Sequence, residues 1–232
     1  MPFWSRDNTG RFTDRPFYTQ AEIEAIALAE LEACAQVAGH RSEWPLSDDM
    51  LVRLVESLTV RFDPYCDLSH VGVDVDGYTL FTRRGRPSVL INQDLASQSN
   101  RLRWRVTIAH EVGHVILHQP LYQRKDRRLD MLVEQPLVPA YCERLHMIRS
   151  VDWCEWQASF FSNCLLMPTQ TVRAHLLREI PDLLQLEDGT RDAVRTVAAM
   201  SEQFDVPCES VRSRLAQVGV LKPSSRLDNR IA

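Results

Sequence analysis

Apolar positions along the chain change their spacing several times, and each change marks an element. From Thr19 to about Ala38, Ile23, Ile26, Ala27, Leu31 and Cys34 recur at intervals of three and four. That spacing predicts an amphipathic helix, and Thr19 with Glu22 three residues on forms a capping-box pattern at its start. Pro45 breaks the chain, and Ser47 then caps a second helix carrying Met50, Leu51, Leu54 and Leu58. After Pro64 the period falls to two. Val71, Val73 and Val75 alternate with Gly72 and Asp74, Asp76-Gly77 reads as a hairpin turn, and Tyr78 to Thr82 reads as the return strand. Gly85 and Pro87 mark another turn before a third strand, Ser88 to Asn92. The expected sheet has three antiparallel strands.

Helical spacing returns from about Leu102 to His118, with Pro120 as the expected stop. Residues 121 to 151 are charged and irregular and read as a long insertion or lid. From about Val151 to Met167, Ala158, Phe161 and Leu165 fall on one stripe, and Pro168 ends that helix. Residues 169 to 221 read as several helices, while residues 1 to 17 and the stretch from Pro223 read as loosely held tails. The pattern gives an α+β fold, mainly helical, with a small three-stranded antiparallel sheet and a C-terminal helical region. It divides into an N-terminal tail and helix (1–45), a central domain (46–168) and the C-terminal helices (169–232).

Composition narrows the function classes. Of 232 residues, 44% are hydrophobic, enough for a buried core. The net charge of −4 supplies no basic field to hold nucleic acid. Six cysteines lie scattered with no C-x-x-C pair, which fits reduced thiols better than a disulfide scaffold. The opening MPFWSRDNTGRF lacks the apolar core of a signal peptide, and no window reaches eighteen uninterrupted apolar residues. No membrane span is expected, and the expected location is the cytoplasm.

The candidate chemistry sits in TIAHEVGHVILH, residues 107 to 118. Positions four apart on an α-helix lie about 40° from each other around the axis, so His110 and His114 can present two imidazoles to one ion. Glu111 is offset by about 100° and is better placed to reach a water held by that ion than the ion itself. The bland alternative is an amphipathic helix with two partly exposed histidines. Against it, Val106, Ile108, Ala109, Val112, Val115, Ile116 and Leu117 surround the polar trio, so two imidazoles and a carboxylate face burial and need partners. Gly113 costs about 1 kcal/mol relative to alanine inside a helix; a close approach of another segment or of a substrate would explain it, with loose packing as the bland alternative.

A catalytic zinc has three protein ligands and an open position. His118 lies about 80° around the helix and about 12 Å along it from His110, too far to join the same ion; it reads as a helix-end residue favouring the local dipole, with support of the ligands from behind as the lesser alternative. Glu155 on the next helix is the better third ligand, because Ala158, Ser159 and Ser162 let that helix approach closely. Asp152, Glu143, His146 and Glu134 remain rivals on spacing alone. Tyr141 and Tyr78 are candidate oxyanion donors, with ordinary packing as the alternative for each.

RLRWRVTIAHEVGHVILH followed by EWQASFFSNCLLMP resembles the ImmA/IrrE family of bacterial metallopeptidases. Arg103, Arg105, Thr107, Ala109, His110, Glu111, Gly113, His114 and His118 match its first motif, and Glu155, Ala158, Phe161, Leu165, Leu166, Met167 and Pro168 its second. The resemblance covers about residues 46 to 168 and extends more weakly to FDVPCESVRSRL. Val106 stands where phenylalanine is usual, Ser162 replaces an alanine, Pro207 replaces a capping serine, and the 121–151 segment is longer than expected. The resemblance implies a zincin-like fold, zinc (Zn2+) held by His110, His114 and Glu155, and Glu111 as general base. It also implies cleavage of a helix-turn-helix transcriptional repressor, encoded nearby, that restrains mobile-element or stress-response genes.

Two other classes compete with the peptidase. A catalytically silent zinc protein could sequester a repressor without cutting it. A DNA-binding regulator could use residues 192 to 217, which resemble two helices about a turn at Phe204 to Pro207, with Arg191, Arg195, Arg212 and Arg214 meeting phosphate. With a net charge of −4, direct nucleic-acid binding is not expected, and packing of that helical pair on the central domain is the preferred reading. Nothing in the pattern sets an oligomeric state.

Overall fold

The computed structural model describes residues 2–8, 12–39, 43–72, 74–123, 153–180 and 185–223. The expected 121–151 insertion lies almost wholly outside them, as do Glu134, Tyr141, Glu143, His146 and Asp152 and the tail beyond Pro223.

Two early helices form as their caps dictate. Helix α1 (Gln20–Val37) opens on Thr19, which exchanges both capping-box hydrogen bonds with Glu22. Helix α2 (Asp48–Leu58) opens on Ser47, whose hydroxyl accepts from the Met50 N–H. Each cap satisfies donors that the first turn would otherwise leave orphaned, worth roughly 1 kcal/mol apiece. The expected loose tail is instead an antiparallel hairpin of β1 (Phe3–Arg6) and β2 (Asp14–Phe17). Phe12 at its turn is buried edge-on against Tyr122 and Trp153, and that apolar anchor holds the hairpin down.

The sheet has three strands, as expected, but their identity and direction differ. Its strands are β3 (Arg61–Cys66), β4 (Gly77–Leu80) and β5 (Ser88–Asn92), in the order β3-β5-β4. β3 runs parallel to β5 and β4 antiparallel to it, so the sheet is mixed rather than antiparallel. Of the alternating valines after Pro64, Val71 and Val75 lie outside the strands, and Val73 lies outside the described residues. Pro64 lies inside β3, where the register shifts between Asp63 and Cys66, and an edge strand at a bulge tolerates its missing N–H. Asp76-Gly77 is not a hairpin turn either. The preceding loop is held by Asn92, whose side chain donates to the Val75 carbonyl and whose N–H donates to that of Asp76.

Helix α3 (Arg101–Gln123) carries the histidine motif and runs through Pro120 instead of stopping before it. The interior proline costs about 3 kcal/mol. Burial of Leu121 and Tyr122 against Phe12, Phe81 and Trp153 offsets that cost. Helix α4 (Trp153–Leu166) packs along α3, and α5 (Thr169–Glu179), α6 (Arg191–Phe204) and α7 (Cys208–Gln217) complete the helical part. A two-stranded parallel pair, β6 (Leu186–Glu187) and β7 (Leu221–Lys222), closes it. One apolar core links α1, α2, β5, α3, α4, α5, α6 and α7.

Two buried arginines tie these layers. Arg105 on α3 is fully buried; it donates to the Asp205 carbonyl at 2.8 Å, to the Leu46 carbonyl at 2.5 Å and to the Asp48 carboxylate. Arg214 on α7 donates to the Met167 carbonyl at 2.7 Å and to Glu24 and the Thr169 hydroxyl at 2.9 Å each. Its guanidinium is consumed inside the protein, and Arg212 pairs with Asp188, so two of the four arginines considered for phosphate have protein partners.

Candidate metal centre

Close approach of α3 and α4 makes the site. A methyl at Gly113 would stand 3.0 Å from the Ala158 Cα and 3.1 Å from its carbonyl oxygen. Only glycine at 113 lets the two backbones come this near, and this is the close approach that its position inside a helix suggested. The Ser162 hydroxyl adds a bond to the Val106 carbonyl across the same seam at 3.2 Å.

Three side chains from these helices converge. The Nε2 atoms of His110 and His114 are 2.9 Å apart, His110 Nε2 is 3.0 Å from Glu155 Oε2, and His114 Nε2 is 3.2 Å from Glu155 Oε1. Among the described residues, these three form the group able to hold a metal ion. Donors around a tetrahedral ion at about 2.05 Å stand about 3.3 Å apart, close to the triangle observed. The Glu155 Oε1 atom is buried, with the His114 Nε2 atom 3.2 Å away as its neighbour at this corner. Two imidazole nitrogens and a buried carboxylate oxygen facing one point fit a divalent cation. The side chains of His110 and Glu155 are 21% and 20% exposed, so this corner reaches solvent among the described residues.

Burial opposes ionisation of Glu155, but the His114 and His110 rings outweigh it and hold its pKa well below the usual carboxylate range. Glu111 differs. It is buried, and desolvation lifts its pKa above the ordinary value despite the His114 and His110 rings and a hydrogen bond from Thr79. The Thr79 hydroxyl donates to Glu111 Oε2 at 2.6 Å. Alternation along β4 explains this contact. Thr79 and Gly77 face α3, and a methyl at Gly77 would collide with Glu111 Oε1 at 2.6 Å. Gly77 is therefore required for proximity, not for a turn; its φ is not positive. Tyr78 points the other way, into an apolar cluster with Leu68, Val75 and Leu90, so it is a packing residue and not at the metal corner.

His118 does not end a helix. It is buried in the middle of the assembly, its Nδ1 2.9 Å from His114 Nδ1 and its Nε2 3.0 Å from Gln157 Oε1. Desolvation and the neighbouring His114 ring push its pKa well below the ordinary imidazole value. The Ser159 hydroxyl lies 3.3 Å from His110 Nδ1. Thr79 and Gln157 carry no local sequence signal for these roles.

The chain matches the model of the Peptidase_M78 family, described as an IrrE N-terminal-like domain, over residues 67–216. The chain belongs to this metallopeptidase family. The match spans the β4–β5 hairpin, the histidine helix, α4 and the helical pair α6–α7, so every residue of the metal corner lies inside it. None of the curated proteins compared with the chain matches it. No helix among the described residues is long and apolar enough to cross a membrane.

Proposed function

We propose that the protein is a zinc-dependent endopeptidase that cuts a helix-turn-helix repressor encoded nearby, releasing mobile-element or stress-response genes in a bacterial cytoplasm. The observation that carries this reading is the triangle of His110, His114 and Glu155 with the Glu111 carboxylate buried beside it. Two neutral imidazoles and one carboxylate suit zinc, and a zinc ion held there supplies a Lewis acid that activates water near neutral pH.

The chain's own residues supply the rest. Glu111, held by Thr79, takes a proton from the attacking water and returns it to the leaving amine. Its desolvated setting raises its basicity above that of an exposed carboxylate and so suits both transfers. Glu155 offers its carboxylate to the cation site beside the two imidazoles.

The test mixes the protein with the adjacent repressor, with and without a chelator, and follows fragments. Cleavage is expected only with metal, and Glu111→Gln is expected to retain zinc and lose cleavage. Cleavage at the wild-type rate by the variant, or in the chelated sample, contradicts the assignment. A tight complex without fragments favours a silent, sequestering protein.

A further inference from the structure

We infer that the N-terminal hairpin fixes the proton arrangement at the metal corner, through a directed chain of hydrogen bonds ending at His114. This rests on His110, His114 and Glu155 being zinc ligands, and it assigns Gln157 and His118 as positioning residues for that site. The chain runs from the Pro16 carbonyl on β2, through Gln157 on α4 and His118 on α3, to His114.

Its direction is forced from the far end. A carbonyl only accepts, so Gln157 turns its amide nitrogen to Pro16, at 3.3 Å, and its oxygen to His118, at 3.0 Å. That oxygen also only accepts, so His118 carries its proton on Nε2. A neutral imidazole has one N–H, which leaves His118 Nδ1 as an acceptor facing His114 Nδ1 at 2.9 Å. His114 therefore carries its proton on Nδ1 and turns a bare Nε2 to the cluster. A metal binds imidazole through an unprotonated nitrogen, and the partner of the other nitrogen selects which one is bare. Reversing any one bond would aim an N–H at the cation site.

Among the described residues His110 has no comparable lock, since its Nδ1 meets the exposed Ser159 hydroxyl at 3.3 Å. The hairpin lies outside the matched region, which begins at residue 67. Pro16 and Gln157 are buried, and Phe12 anchors the hairpin against Tyr122 and Trp153. A strand far outside the metal motif thus sets the state of a ligand within it.

The test uses the full chain as wild type, Gln157→Leu, Gln157→Glu, Phe12→Ala and the Gln157→Leu/Phe12→Ala double variant. Zinc ion alone is the probe, titrated against a chromogenic chelator, and nitrogen spectra of the imidazoles are recorded on metal-free protein. The wild type is expected to show the Nδ1–H form of His114 and the Nε2–H form of His118. Gln157→Leu is expected to weaken zinc about 10- to 100-fold, and Gln157→Glu, which still accepts from His118, to restore most of that loss. Phe12→Ala is expected to weaken zinc in the wild-type background and to add nothing in Gln157→Leu. The inference is overturned by His114 protonated on Nε2, by unchanged zinc affinity in Gln157→Leu, or by additive losses in the double variant. A wild type that takes up no zinc sinks the proposed function instead, while the spectra of the metal-free protein still decide the proton arrangement. Those wild-type spectra also decide it if a variant fails to fold.

Discussion

Replacing Gly113 with alanine adds one methyl group at the tightest point between α3 and α4. The new carbon would lie 3.0 Å from the Ala158 Cα, 3.1 Å from the Ala158 oxygen and 3.2 Å from the Phe161 Cβ. Comfortable carbon contacts begin at about 3.5 Å, and two of these neighbours are backbone atoms that cannot swing aside. The helices must separate by roughly 0.4 Å. Such overpacking costs about 1–3 kcal/mol, while alanine returns about 1 kcal/mol of helix propensity. The expected net loss is about 1 kcal/mol, a fall in Tm of about 2–4 °C for a chain of this size. The same shift moves Glu155 away from His110 and His114, and metal distances tolerate only about 0.2 Å. Zinc affinity is therefore expected to fall with stability. Thermal melts of the metal-free protein and a chelator competition read the two effects separately. A higher Tm with unchanged zinc affinity would show that propensity outweighs contact, and that the helices do not lie as close as the account requires.

Other substitutions test separate links. Thr79→Val keeps shape but leaves Glu111 Oε2 without its 2.6 Å donor; cleavage is expected to drop while zinc content stays at wild type, and lost zinc would contradict the placement of Thr79 at the base. Arg105→Ala leaves the Leu46 and Asp205 carbonyls without their buried donor and removes one partner of Asp48. A stability loss of about 3–5 kcal/mol is expected in urea denaturation, and a loss below 1 kcal/mol would refute the buried-tie role. Glu24 has its pKa lowered in the fold: burial opposes this, but hydrogen bonds from Thr169 and the Arg214 charge prevail. Its contribution is complete above the ordinary value of 4.5 and fades as pH falls through the lower folded value. The stability gap between wild type and Glu24→Gln is accordingly expected to shrink as pH falls from 4.5 towards the lower folded value, and a gap that widens would reverse the sign.

Legibility in the sequence followed the range of the interactions. The capping box at Thr19, the cap at Ser47 and the four-residue spacing of His110 and His114 are local, so each could be read from a short window. Glu155 was reachable because small residues on its helix and the mandatory glycine at 113 describe the same seam from both sides. The sheet departs from the sequence pattern for a physical reason: the valines at 71–75 alternate as a strand should, whereas β3 carries a proline that only an edge and a bulge permit. Pro120 misled in the opposite way, because tertiary burial of Leu121 and Tyr122 outweighed a local helix breaker. Thr79 reaches Glu111 across 32 positions, and Gln157 reaches Pro16 across 141. Contacts of that separation leave no periodic trace. The hairpin looked like a tail because its few apolar residues find their partners only in the folded protein.

The most direct measurement is a zinc-edge anomalous map from crystals of the zinc-loaded protein. The account expects one strong peak per chain, about 2.0–2.2 Å from the Nε2 atoms of His110 and His114 and from a carboxylate oxygen of Glu155. A peak held by other side chains, or none at this corner, would contradict it.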